Sequence, residues 1–110
     1  MIRSGNLYAG ISAARNGEEF KTLLETAGLK IERVVSFGQA SPPGFWYDQD
    51  QSEWVLLVAG HAGLLIEGET EARLLRAGDH VEIPAHVRHR VEWTDTAVQT
   101  IWLAVHFADE

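Results

Sequence analysis

Residues 54–59, Trp54-Val55-Leu56-Leu57-Val58-Ala59, constrain the fold more than any other stretch, because every position is apolar and a strand here is therefore apolar on both faces. Trp54, Leu56 and Val58 share one side, and Val55, Leu57 and Ala59 share the other. Such a strand needs two covers. One is the interior of a barrel; the other is a helix, an N-terminal strand or a second copy of the chain. Two polar corners flank this run. Tyr47, Gln49, Gln51 and Glu53 lead into it, and on its far side Gly78-Asp79-His80-Val81-Glu82-Ile83-Pro84 turns into Ala85-His86-Val87-Arg88-His89-Arg90-Val91.

The same period of two recurs from Lys30 onward, where Ile31, Arg33, Val35 and Phe37 lie on one face of a strand. Pro42 and Pro43 stiffen the loop after Gly38 and deliver the chain into Phe45-Trp46-Tyr47. Leu64–Glu67 and Glu71–Leu75 read as a hairpin around Gly68-Glu69-Thr70. The segments His80–Pro84 and His89–Trp93 are expected to pair across a bend at Pro84-Ala85-His86. Val98–Phe107 closes the chain with Gln99, Ile101, Leu103, Val105 and Phe107 alternating with Thr100, Trp102, Ala104 and His106. Upstream, Asn6–Ile11 reads as a short strand. Asn16 as cap, Glu19 three residues on, and Phe20, Leu23, Leu24 and Ala27 on one face predict a short N-terminal α-helix stopped by Gly28. About nine short strands with one early helix is the pattern of an all-β sandwich or small barrel.

A chain of 110 residues makes one domain, burying roughly 60 to 70% of its unfolded surface. Sixteen acids against nine Lys plus Arg give a net charge of −7 and no basic face, which disfavours nucleic acid as a partner. The absence of cysteine removes disulfide and thiolate chemistry and is compatible with the cytoplasm. No signal-like apolar run opens the chain and no stretch is apolar enough to span a bilayer, so a soluble, cytoplasmic protein without a membrane partner is expected.

Six residues separate Glu53 from Gly60, five separate Gly78 from Pro84, and His89 is the fifth residue after Pro84. These spacings resemble the two motifs of the cupin superfamily over about positions 44–107. The resemblance implies a double-stranded β-helix, or jelly-roll barrel, spanning 1–110. Residues 1–43 would supply an N-terminal strand, helix and strand packed on it, and 44–107 the cupin motifs. It also implies a ligand set of three His and one Glu, from which this chain departs. Tyr47 and Gln49 occupy the places of the first-motif histidines, His86 replaces a glycine and Trp93 replaces an asparagine.

Two readings of the polar corners stand side by side. In one, Glu53, His89 and an amide oxygen of Gln49 or Gln51, with His86 as a second imidazole, hold a divalent ion such as zinc, nickel, manganese or iron. In the other, Glu53 and His89 satisfy one another and Tyr47 in a polar pocket without an ion. The Tyr47 phenol is a candidate catalytic acid or donor toward a bound small molecule, against a packing role. Arg33 either pairs inward with Glu53 or lies at a rim. His61 and His80 read as turn residues and His106 as an interface residue. The chain is thus expected to be a small-molecule-binding barrel, with metal-assisted turnover of a small polar or anionic substrate or, alternatively, sensory binding without turnover. Apolar residues on both faces of two strands, Trp54, Leu56 and Val58 on one and Trp102 on the other, predict a homodimer.

Overall fold

Alternating apolar segments cut by glycines become eight strands among the described residues, which are 1–12 and 17–108 of a computed structural model. They are β1 (Glu19–Thr26), β2 (Leu29–Ser36), β3 (Ser52–Ala59), β4 (His61–Ile66), β5 (Arg73–Arg76), β6 (His80–Ile83), β7 (His89–Thr94) and β8 (Thr100–Phe107). All pairings are antiparallel, in a five-stranded sheet ordered β1-β2-β8-β3-β6 and a three-stranded sheet ordered β5-β4-β7. This is the two-sheet form of the expected jelly roll.

The core lies between the sheets. Val55 and Leu57 of β3 and Trp102 and Ala104 of β8 meet Ala62 and Leu64 of β4 and Leu75 of β5. Leu57 is wholly buried, a side chain whose transfer from water contributes about 2 kcal/mol. The alternation of β3 is therefore resolved: Val55 and Leu57 face inward, while Trp54, Leu56 and Val58 are only part-buried on the outer face. Gly60 turns β3 into β4 at φ 85°, where a Cβ would stand 2.7 Å from the Thr100 Cα, so no other residue fits without moving backbone.

Three expectations are corrected. The predicted helix is strand β1, paired with β2 from Glu19↔Val35 to Thr26↔Leu29; Asn16 lies outside the described residues. Helical spacing of Phe20, Leu23 and Leu24 had nothing to pack against, since they remain 57, 41 and 41% exposed. A helix of that length is marginal alone, whereas a two-residue turn at Ala27-Gly28 lets the segment complete its backbone hydrogen bonds on β2. Residues 6–11 are not a strand. Asn6 Oδ1 accepts the Tyr8 amide at 2.8 Å and the Ala9 amide reaches the Asn6 carbonyl at 3.1 Å, making a turn.

The third correction concerns β6 and β7, which do not pair with each other. β6 joins β3 in one sheet and β7 joins β4 in the other. The bend at Pro84-Ala85-His86 carries the chain between the sheets. His86 sits there at φ 65°, the left-handed backbone that such a change of direction requires.

The outer face of β2 and β8 is partly covered by the N-terminal arm. Arg33, 1% exposed, donates from Nη1 to the carbonyls of Leu7 at 2.9 Å and Ala9 at 2.7 Å, and its Nη2 meets Glu19 Oε1 at 3.0 Å. Arg33 thus points away from Glu53. It is neither a rim residue nor an inward partner.

Candidate functional site

Inward-facing positions of both sheets converge on a cavity of about 90 Å³. Parity places them: Glu32 and Val34 on β2, Glu53 and Val55 on β3, and Trp102, Ala104 and His106 on β8 come from the larger sheet. His89 on β7 and Leu64 on β4 come from the smaller. The larger sheet overhangs the smaller by β1 and β2 on one flank, so Phe20 and Glu18 stand at an open mouth.

Glu53 is the hub. Its Oε1 lies 3.4 Å from His89 Nε2, and its Oε2 lies 3.5 Å from His106 Nε2, which also meets Glu32 Oε1 at 3.1 Å. The four side chains form a continuous acid and imidazole chain, each 5 to 13% exposed. His89 Nδ1 lies 3.0 Å from the Val87 carbonyl, an acceptor, so Nδ1 carries a proton and Nε2 is left as the working nitrogen. Two acceptors face one another across 3.4 Å unless a proton sits between them. Burial works against a charged His89, but the Glu53 hydrogen bond, the Val87 carbonyl and the Glu53 charge outweigh it and raise its pKa above the ordinary imidazole value.

Tyr47 is held by a two-way backbone bridge to His89, at 2.7 and 3.1 Å, and its ring stacks on that imidazole with centroids 5.4 Å apart. Burial, then the charges of Glu18, Glu53 and Glu32, push the phenol pKa upward, which favours the protonated form of Tyr47. Gln49 also lines the cavity, and its Oε1 is buried with no hydrogen-bond partner.

Of the residues singled out from sequence, Tyr47, Gln49, Glu53 and His89 are brought together, and two are not. Gln51 does not line the cavity. His86 turns outward, its side chain 68% exposed and its Nδ1 2.9 Å from Asp48 Oδ1, because the left-handed bend directs it to solvent. The expectation that His86 adds a second imidazole is thereby corrected. That nitrogen comes instead from His106, expected at an interface. Its signal was present: it shares parity with Trp102 and Ala104, which are core residues 5 and 3% exposed. Glu32 and Glu18 were likewise unmarked by any motif. Among the described residues, no group of three or more His, Cys, Asp or Glu is arranged to hold a metal ion. The three-His, one-Glu cage of a metal cupin is therefore not rebuilt; Glu53 spends each oxygen on a different imidazole.

Residues 34–106 match a family model described as a cupin domain. A crystal structure from Ralstonia eutropha, named a putative mannose-6-phosphate isomerase, is 54% identical over 98% of this chain and 100% of its own, with a TM-score of 0.94. A cupin superfamily protein from Desulfitobacterium hafniense is 17% identical, covering 90% of this chain and 84% of its own at TM-score 0.74. An RmlC-like cupin with a double-stranded β-helix fold from Methanocaldococcus jannaschii is 18% identical, covering 98% and 93% at TM-score 0.73. No curated protein matches. With its motif spacings, its two antiparallel sheets and the match across 34–106, the chain belongs to the cupin superfamily.

Proposed function

We propose that this protein is a small-molecule-binding cupin whose cavity moves a proton to and from a small polar ligand. The carrying observation is Glu53 held between two imidazole nitrogens at 3.4 and 3.5 Å inside a cavity roofed by Tyr47. Glu53 with His89 supplies a base whose proton has somewhere to go, and the protonated Tyr47 phenol supplies an acid. The name of the Ralstonia protein supports this class, because isomerising a sugar between aldose and ketose shifts a proton between neighbouring carbons. The test is deuterium incorporation from heavy water into small hydroxycarbonyl and amino compounds, with binding followed by the imidazole NMR signals. Exchange is expected to fall by about 100-fold in Glu53→Gln. Exchange and binding that survive unchanged in both Glu53→Gln and His89→Ala overturn the proposal; binding without exchange selects the sensory alternative.

A second reading has one observation in its favour. The partnerless Gln49 Oε1, with Glu53 and His89 Nε2, would hold a divalent cation, which would supply Lewis acidity to a bound ligand. Metal content measured in wild type, Glu53→Ala and His89→Ala tests it: stoichiometric metal lost in both variants supports it, and no uptake on titration removes it. We also carry forward the homodimer. Trp102 no longer contributes to that argument, being core, but Leu23 and Leu24 on edge strand β1 stay 41% exposed. A solution mass of one chain at micromolar concentration overturns it. No helix among the described residues is long and apolar enough to cross a membrane, and a cytoplasmic location is part of the same proposal.

A further inference from the structure

The ligand class of this cavity follows from its charge and its hydrogen-bonding character, a step that rests on the cavity being the working site. Three carboxylates line it, Glu18, Glu32 and Glu53, with two imidazoles and, among the described residues, neither Lys nor Arg. Neighbouring cations are engaged elsewhere. Arg33 serves the opposite face of β2, Arg90 donates to the carbonyls of Ser41, Pro42 and Phe45, and Arg88 pairs with Glu67 at 2.8 Å. Lys30 comes nearest, 3.5 Å from Glu32 Oε2, without lining the cavity. Lys30 pairs with Glu32 and His89 faces Glu53, whereas Glu18 has no cationic partner among the described residues; its Oε2 accepts a hydroxyl hydrogen bond from Ser36, at 2.7 Å. A phosphate entering here meets three carboxylates and, among the described residues, no lining guanidinium or ammonium to receive it.

The hydrogen-bonding surplus has the same sense and comes from a different residue. Gln49 Oε1 is an acceptor buried without a donor among the described residues, so a ligand N–H would find a free oxygen there. Size adds a limit: about 90 Å³ is several waters' worth of space and falls below the roughly 300 Å³ at which drug-sized ligand sites begin. We infer that the cavity takes a small organic ammonium, a few heavy atoms in size, whose N–H groups meet the carboxylates and Gln49 and whose alkyl part lies against Val34 and Trp102, rather than a phosphorylated sugar. Phe20 and Trp102 supply aromatic rings to the same lining.

The test titrates the full chain separately with ethanolamine, inorganic phosphate, mannose and mannose 6-phosphate, reading the His89 and His106 imidazole signals, and repeats it on Glu18→Gln and Glu32→Gln. Ethanolamine is expected to shift both imidazoles saturably and phosphate is not. Each variant, with its amide spectrum retained, is expected to bind the amine about tenfold more weakly. Saturation by mannose, phosphate or mannose 6-phosphate without an ethanolamine response overturns the ammonium assignment and leaves the proton-transfer site standing. Silence toward all four probes overturns both. An ethanolamine response undiminished in both variants overturns the assignment as well, because the amine then binds without the carboxylates.

Discussion

Two largely buried charges sit in one sheet, on strands separated by β8, and face opposite ways. Arg33, on the outer face of β2, is met by two backbone carbonyls and one carboxylate. Glu53, on the inner face of β3, is met by two imidazoles, one of them shared with Glu32. Carbonyls cannot change their charge, so the Arg33 arrangement has one state and serves to pin the arm. Imidazoles as a class titrate near neutrality, so the Glu53 arrangement has partners able to exchange a proton, which is what the proposed function asks of it. Desolvated charge alone does not mark a working site; partners that can exchange a proton do.

The comparison breaks first at Arg33. Replacing it by Met removes the clasp and strands two carbonyls, so Arg33→Met is expected to cost about 3 kcal/mol and to lower the thermal midpoint by roughly 12 °C, with ligand response at the imidazoles unchanged. Calorimetry showing under a third of that loss would make the clasp ornamental. Next comes Glu53→Gln, which keeps shape but loses charge. It is expected to cost about 1–2 kcal/mol while abolishing the imidazole response to ligand, and urea unfolding beside NMR titration separates the two effects.

A pH series sharpens the contrast further. The folded-state pKa of His89 is raised, so its contribution to stability is fully present below the unfolded value near 6.5 and is lost as pH rises through the folded value. Urea midpoints should fall with rising pH above neutrality in wild type, and this component should vanish in His89→Asn. The Arg33 clasp should show no such slope, because guanidinium does not titrate there. The smallest effect is expected at the exposed member of the same loop. His86→Asn, which tolerates the left-handed backbone, should change stability by no more than about 0.5 kcal/mol and leave the imidazole titration of His89 and His106 as it was.

Much of the barrel was legible because β3 is an unbroken apolar run, because the segments after it are cut by turn residues, and because Glu53, Gly60, Gly78, Pro84 and His89 stand at the cupin spacings. The N-terminal segment was not. Phe20, Leu23 and Leu24 have the spacing of a helical stripe, and that local signal was overridden by β2, which offered backbone hydrogen bonds while the stripe stayed exposed. Half the candidate site was readable from motif position, in Glu53 and His89. His106, Glu32 and Glu18 carry no motif; the first two enter the site by parity and pairing, through registers such as Glu53↔His106 and Glu32↔Ala104, and Glu18 by its place just before β1.

By itself the sequence determined that the chain is β-rich, that the run through Leu57 is buried and that Glu53 and His89 stand at cupin positions, since these depend on local alternation and on intervals along the chain. Tertiary structure alone decided which way the bend at His86 throws its two histidines, that His106 faces inward, and that no Lys or Arg among the described residues lines the cavity. The physical reason is range: alternation acts over two residues, whereas the charge around a ligand is a sum over strands far apart in sequence, fixed only when the sheets close on one another.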